Sequence, residues 1–220
     1  MPLVDHQIRA LMSEAARGTF REGKGGAGLI SCGLTSAGYD FRLGELVKLY
    51  RKPYRRGDLL RKLFGFYDYT RDVIDPKRIN PALFETLRVE RECNFYRVPN
   101  GNGASVMRED QFVTLPPYGY ALAETMEYID IPTGYEVIVV GKSTYARSGI
   151  IVNCTPLEPG WRGVTTLEIA NATPLPARLY IGEGIAQAKF HKLDATPERD
   201  YQAKGFGKYQ DQTGLTLPRA

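Results

Sequence analysis

Apolar and polar positions alternate in short runs through the C-terminal half of the chain. From Phe112 onward the runs are 112–115, 120–129, 135–141, 149–155, 164–171, 177–181 and 185–190. Pro116, Pro117, Pro132, Pro159, Pro174 and Pro176 separate them, with Gly134, Gly141, Gly160, Gly163 and Gly182. Period-two runs bounded by turn residues predict strands. Many such strands in series predict a mainly β sandwich or barrel. The intervals are too short for repeated crossover helices between parallel strands. The N-terminus has a different period: Val4, Ile8, Leu11, Met12 and Ala15 share one helical face within residues 4–17. Asp5 is the expected cap, and Gly18 with the glycines at 23–28 ends the helix. Residues 33–44 form a glycine-rich passage that leads into a short alternating segment. The tail from Tyr201 is polar and weakly patterned, which suits disorder or ordering on a ligand.

Composition narrows this picture. A chain of 220 residues suits a single domain, 1–220, large enough for a core without staples. Hydrophobic residues at 43% and charged residues at 25% are ordinary for a globular protein. No apolar run approaches the roughly 20 residues that span a bilayer. The start, MPLVDHQIRALM, lacks the apolar stretch of a signal peptide, so a cytoplasmic protein with no membrane partner is expected. The three cysteines, Cys32, Cys93 and Cys154, read as reduced thiols. With only His6 and His191 beside them, and no CxxC, HxH or HExxH spacing, no zinc site is expected.

The formal net charge is +4, but residues 48–62 alone carry +6. The charge therefore says little about a ligand bound elsewhere. The segment 48–75 reads as a basic insertion containing Tyr50, Tyr54, Phe64, Phe66 and Tyr67. Cations interleaved with aromatics also suit a non-enzymatic β-protein that binds nucleic acid or a membrane. No nucleic-acid module or amphipathic anchor accompanies them, and a solvated loop is the plainer reading.

The densest polar constellation lies between Gly141 and Asn171. GKSTYARSG (141–149) follows an apolar strand and offers Lys142, Ser143, Thr144 and Arg147. Amide donors, hydroxyls and cations at a turn suit a polyanion. The spacing is not that of a Walker loop, and a solvated turn fits equally. PLEPGWRG (156–163) is a rigid turn with Glu158, Trp161 and Arg162, in which Trp161 suits a core anchor. In VTTLEIAN (164–171), alternation puts Leu167 and Ile169 on one face and Thr166, Glu168 and Ala170 on the other. If that second face lines a pocket, burial would raise the pKa of Glu168 and fit it for proton transfer. If it faces water, Glu168 is an ordinary solvated carboxylate.

Several segments together resemble dCTP deaminase, within the dCTP deaminase/dUTPase superfamily. They are TSAGYDFRLG, GKSTYARSG, TPLEPGWRGVTTLEIANATPLPARLYIGEGIAQAKF and KYQDQTGLTLP, in family order. The resemblance covers roughly residues 4–45 and 110–218. It implies a homotrimer of distorted β-barrel or jelly-roll-like subunits of the dUTPase type, with active sites between neighbours. It implies hydrolysis of the 4-amino group of dCTP to dUTP and ammonia. Zinc deaminases need a different, His/Cys-bearing signature that is missing here. Mg2+ would arrive with the triphosphate and take no protein ligand.

Carried onto this chain, the resemblance makes Glu168 the carboxylate that shuttles protons. Ser143 and Arg147 would position the water. Lys142, Ser143 and Thr144 would contact phosphate oxygens. Tyr201, Lys208 and Gln212 would come from a tail, 201–220, that closes over the nucleotide. Glu158 and the Thr166 backbone would lie against sugar and base. Asp40 fits a structural or intersubunit role, and His6 and His191 fit no catalytic one. Lys142-Ser143-Thr144 stands where the common bacterial form has Arg-Ser-Ser, which keeps the charge and loses bidentate geometry. The turn before Glu158 is shorter than in some relatives, which bears on base recognition. The resemblance also allows a bifunctional deaminase/dUTPase giving dUMP and pyrophosphate, and dTTP as a feedback inhibitor. A dedicated dUTPase fits less well, because TPLEPGW stands where an Asp-bearing turn is expected.

Overall fold

The computed structural model describes residues 1–50, 74–99 and 101–219. The basic cluster from Arg51 to Lys62, and most of the expected insertion at 48–75, lie outside the described residues.

The described residues form a mainly β fold with one N-terminal helix, α1 (Asp5–Ala15). Ile8, Met12 and Ala15 of α1 are buried against the sheet, as its apolar spacing predicts. Val4, rather than Asp5, is the N-cap. Its N–H donates to the Gln7 side chain at 3.1 Å. The cap falls one residue early because the Val4 carbonyl already accepts the first helical hydrogen bond, from Ile8 N at 2.9 Å.

The strands are β1 (Lys24–Gly26), β2 (Leu29–Thr35), β3 (Gly38–Tyr50), β4 (Phe84–Thr86), β5 (Glu90–Arg97) and β6 (Ser105–Leu115). They continue as β7 (Tyr120–Asp130), β8 (Tyr135–Gly141), β9 (Ile150–Asn153), β10 (Arg162–Asn171), β11 (Ala177–Tyr180) and β12 (Gly184–Lys192). The larger sheet runs β1-β2-β3-β7-β10-β9, with β4 and β12 also on β3 and β8 on β12. A second sheet runs β11-β6-β5. Six of the seven C-terminal runs foreseen from alternation match strands within two residues at their ends, and the run at 112–115 is only the end of β6, which begins seven residues earlier.

The strands before Phe112 were legible only as a short alternating segment at 33–44. The observed β3 is 13 residues long and makes the corner of the fold. Its first half pairs with β2 and β12, and its second half with β7 and β4. The register with β7 shifts between Leu43 and Val47, and strands that change neighbours at such bulges curl a sheet. Gly44 sits at the bend, where a Cβ would lie 2.6 Å from the Glu124 side chain. A glycine and two charges in mid-strand hid a strand of this length.

The core contains Phe41, Leu43 and Val47 of β3, Leu115, Ala123, Val137, and Leu167 and Ile169 of β10, all fully buried. The buried pair Arg42–Glu127 ties β3 to β7, with Arg42 Nε donating to Glu127 Oε1 at 2.6 Å. No helix among the described residues is long and apolar enough to cross a membrane.

Candidate active site

Alternation along β10 puts Thr166 and Glu168 on the face opposite Leu167 and Ile169, half-buried rather than solvated. Both line a cavity of about 530 Å³. Tyr50 of β3 and Tyr120 and Leu122 of β7 form one wall. The rings of Tyr50 and Tyr120 meet edge-on with centroids 5.3 Å apart. The loop from Cys154 to Glu158 forms another wall, together with Trp161. Trp161 is buried as expected of a core anchor, yet it also faces the cavity.

Glu168 stands opposite Asn153 of β9 and Leu122 of β7. Asn153 Nδ2 donates to Glu168 Oε2 at 3.3 Å. Burial raises the Glu168 pKa above the ordinary carboxylate range, and the Asn153 hydrogen bond partly opposes that rise. The result is a positioned carboxylate whose two protonation states are brought closer in energy, as acid–base work requires. Burial, helped by the nearby Glu168 carboxylate, pushes the Cys154 thiol up to about 12.

The tail closes the cavity from the same chain. Tyr201, Tyr209, Gln212, Thr216 and Pro218 all line it. Tyr201 N donates to the Pro159 carbonyl at 2.8 Å, and Trp161 Nε1 donates to the Tyr209 carbonyl at 3.0 Å. Gln212 aligns with Gly163 in a parallel bridge, where Val164 N donates to the Gln212 carbonyl at 2.8 Å and Asp211 N to the Arg162 carbonyl at 3.0 Å. Gly163 has φ 151°, and a Cβ there would sit 2.9 Å from the Gln212 side chain. Further on, Leu215 N donates to Glu124 Oε2 at 3.0 Å and Thr216 N to Thr166 Oγ1 at 3.2 Å. The segment read as weakly patterned is thus docked along β10.

Of the residues singled out in the sequence, Glu158, Thr166, Glu168, Tyr201 and Gln212 meet in this cavity. Glu158 pairs with Lys204 of the tail. The others lie elsewhere. Ser143, Thr144 and Arg147 are exposed on the short helix α2 (Ser143–Arg147), where a turn was expected. They are not among the cavity's lining residues. Lys142 precedes α2, and its Nζ is bonded to Asp40 Oδ2. Asp40 also accepts from Gln187 Nε2 at 3.0 Å, and it is 2% exposed, which fits its structural reading. Lys208 is exposed, and among the described residues its backbone carbonyl alone is engaged, by Arg219. His6 is exposed and His191 half-buried, both outside the cavity.

Sequence reasoning missed Tyr50, Tyr120, Asn153, Thr165 and Tyr209. The pairing of β9 with β10 is what puts Asn153 beside Glu168, and register is not readable from one strand alone. Tyr209 stood next to Lys208 inside a motif already singled out. Among the described residues, no group of three or more His, Cys, Asp or Glu is arranged to hold a metal ion.

The class of protein follows from the family comparison: residues 3–193 match the dCTP deaminase-like family. A dCTP deaminase of Chloroflexus aurantiacus (strain ATCC 29366 / DSM 635 / J-10-fl) is 38% identical over 218 residues, spanning 99% of this chain and 88% of the relative. A dCTP deaminase of Xanthomonas oryzae pv. oryzae (strain PXO99A) is 39% identical over 210 residues, spanning 96% and 91%. The crystal structure of 2′-deoxycytidine 5′-triphosphate deaminase from Agrobacterium tumefaciens aligns at 18% identity and TM-score 0.49. That alignment covers 87% of this chain and 47% of the other. The chain belongs to the dCTP deaminase family, and it is an enzyme, a hydrolase.

Proposed function

We propose that the protein hydrolyses the 4-amino group of dCTP, giving dUTP and ammonia, with Glu168 as the proton shuttle. The observation that carries this reading is the half-buried Glu168 carboxylate, its pKa raised, held by Asn153 in a cavity sized for a small ligand. As the carboxylate, Glu168 takes a proton from the water that attacks C4 of cytosine. As the acid, it returns protons to N3 and then to the departing amine. Water supplies the new oxygen, and ammonia leaves with the original nitrogen. No step passes through a protein-bound metal. Mg2+ enters with the triphosphate, and the chemistry needs no zinc.

Ser143 and Arg147 complete the water site from a neighbouring copy in a homotrimer. Their exposure on α2, outside their own chain's cavity, supports this division. Ser143 and Thr144 face the phosphates in the same way. Lys142 reaches a phosphate only by leaving Asp40. Glu158 and Thr166 lie against sugar and base. Tyr201, Lys208 and Gln212 belong to the tail that covers the nucleotide, and Lys208 has its side chain free to swing over the triphosphate. Product dUTP and the related dTTP share the triphosphate contacts, so dTTP acts as a feedback inhibitor. The described cysteines are all free thiols, which suits the cytoplasm.

The test is to incubate the protein with dCTP, dUTP, CTP and dCMP, with and without Mg2+, and to follow ammonia and nucleotide products. Ammonia and dUTP from dCTP are expected. No ammonia from dCTP overturns the reading, and dUMP as the end product replaces it with the bifunctional one. Light scattering is expected to give three times the 24.6 kDa chain mass.

A further inference from the structure

A second cavity, of about 310 Å³, shares no lining residue with the cavity of Glu168. Segment 21–24, β2, β3, β6 and the turn 181–183 enclose it. The β5–β6 hairpin closes down on β1 and β2 because Tyr96 packs over Gly28. A Cβ at Gly28 would lie 2.1 Å from the Tyr96 ring. The Tyr96 hydroxyl is bonded to Asp110 of β6, which pins the ring there. Arg108 and Glu109, on the β6 wall, lie outside the segments that carry the family resemblance.

Four cations and three carboxylates line this cavity. Arg42 is spent on Glu127, and Glu22 on Arg9 at 2.8 Å. That leaves Arg21, Lys24 and Arg108 facing Glu109 and Glu183. Arg21 and Lys24 are exposed, and their side chains have no partner among the described residues. Arg108 Nε is buried without a hydrogen-bond partner. One Arg108 amino group donates to Glu183 Oε1, at a long 3.4 Å. Two positions on, Asp110 is 2% exposed, and its Oδ1 also lacks a partner. Burial raises the Glu183 pKa, and the Asp110 charge adds to the rise against Arg108 and the Ile30 N–H. Buried polar groups find partners, and leaving a charged one unmatched is costly. β6 thus carries an unmatched donor and an unmatched acceptor two residues apart.

The chemistry of the lining defines the ligand. A guanidinium fork with two further cations suits phosphate oxygens. Ionised carboxylates only accept, so they need donors from the ligand. Arg108 already offsets the Glu183 charge, so neutral hydroxyl donors suffice. A bare polyanion would crowd Glu109 and Glu183, and a neutral sugar would leave the cations unused. A molecule with a phosphate at one end and hydroxyls at the other answers both needs. We propose that this cavity is a second ligand site that takes a sugar phosphate. Its phosphate meets Arg108, Arg21 and Lys24, and its hydroxyls face Glu109 and Glu183. The site does not depend on the deaminase reading above.

The test is calorimetric titration of ribose 5-phosphate, inorganic phosphate and ribose into the protein. Ionic strength is held constant to remove general screening. The wild type is expected to bind ribose 5-phosphate about tenfold more tightly than inorganic phosphate, and ribose not measurably. Arg108→Gln should weaken ribose 5-phosphate by at least about tenfold, the size of a hydrogen bond to a charged group. Arg108→Lys keeps the charge but loses the fork, so its affinity should fall between. It also keeps the test open if the Gln variant does not fold. Lys208→Ala, in the tail at the other cavity, should change nothing. No binding to the wild type overturns the proposal. Equal affinity for ribose 5-phosphate and inorganic phosphate overturns the sugar phosphate assignment. Wild-type affinity in both Arg108 variants overturns the site. Loss of binding in Lys208→Ala moves the phosphate to the Glu168 cavity and overturns it as well.

Discussion

Asn153 and Glu168 face each other across the β9–β10 pair, and the Asn153 amide holds one oxygen of the carboxylate at 3.3 Å. That hydrogen bond favours the ionised form and works against the burial that raises the pKa. Removing it leaves only a backbone hydrogen bond to oppose burial. In Asn153→Ala the Glu168 pKa is expected to rise further, so the base form is lost at a higher pH. The acidic limb of the kcat–pH profile then moves to higher pH, with Asn153→Ser moving it less. An unmoved limb would show that Glu168 does not set it.

Glu168→Gln removes the titrating group but keeps the shape. Ammonia release should fall by at least about 1,000-fold, the scale of a lost acid–base residue, while dCTP binding persists. Stability gives a second readout. A carboxyl whose folded pKa is raised favours the native state below its unfolded pKa and loses that contribution as pH rises through its folded pKa. The Gln variant should therefore melt higher than wild type near neutral pH. That advantage should shrink as pH falls through the Glu168 titration range. Melting curves from pH 4 to 8 check the sign.

Arg42 and Glu127 pair at 12% and 0% side-chain exposure, so β3 and β7 share a charge pair inside the protein. Glu127 Oε2 also accepts from Arg42 N at 2.9 Å. Arg42→Ala leaves Glu127 buried and uncompensated, at a cost of about 3–5 kcal/mol. Arg42→Met with Glu127→Leu should recover most of it. Urea denaturation of the single and double variants measures both. If Arg42→Ala costs less than about 1 kcal/mol, the pair is better solvated than its geometry indicates.

Lys142 is bonded to Asp40 in its own chain, while the proposed function asks it to reach a phosphate. Asp40 is buried and Lys142 is 12% exposed, so the pair anchors the start of α2 to β3. Lys142→Met should lower the melting temperature of the free protein, because it strands the Asp40 charge. If the side chain also serves phosphate, KM for dCTP rises beyond what partial unfolding explains. A variant with lowered stability and unchanged KM confines Lys142 to the anchor.

The tail reports on itself through Trp161, the single tryptophan. Its indole N–H is bonded to the Tyr209 carbonyl. Truncation after Lys208 removes that acceptor together with Gln212, Thr216 and Pro218. Trp161 emission should shift to the red as water enters, and dCTP binding should weaken. Saturating nucleotide on the full chain should leave the emission maximum blue. Identical spectra for full-length and truncated protein would show that the tail does not rest on Trp161 in solution.

Much of the β architecture was legible because each C-terminal strand has one face toward the core. Leu167 and Ile169 alternate with Thr166 and Glu168 in the letters as they do in space. What stayed hidden depended on pairing. Asn153 becomes a partner of Glu168 only through the register of β9, and β3 changes neighbours across a glycine in mid-strand. Asp40 and Lys142 lie 102 positions apart, and nothing local joins them. The tail lacks periodicity because it is held by scattered single contacts, such as Gln212 Nε2 on the Val164 carbonyl and Gln210 Nε2 on the Gly160 carbonyl, with no repeating face to bury.

That docking has a consequence for the solubility of the chain. β9 covers β10 only from Glu168 to Asn171, and β7 occupies the opposite edge. The stretch from Arg162 to Val164 would present bare N–H and C=O groups to its surroundings but for Gln210, Asp211 and Gln212. Open edges of this kind template pairing with foreign strands. A tail that lifts to admit a ligand uncovers such a template for as long as it is raised. If the tail lifts in turnover, ligand turnover and self-association compete for the same few peptide groups. A protease that nicks the tail would leave a chain prone to clump as well as one with a roofless pocket.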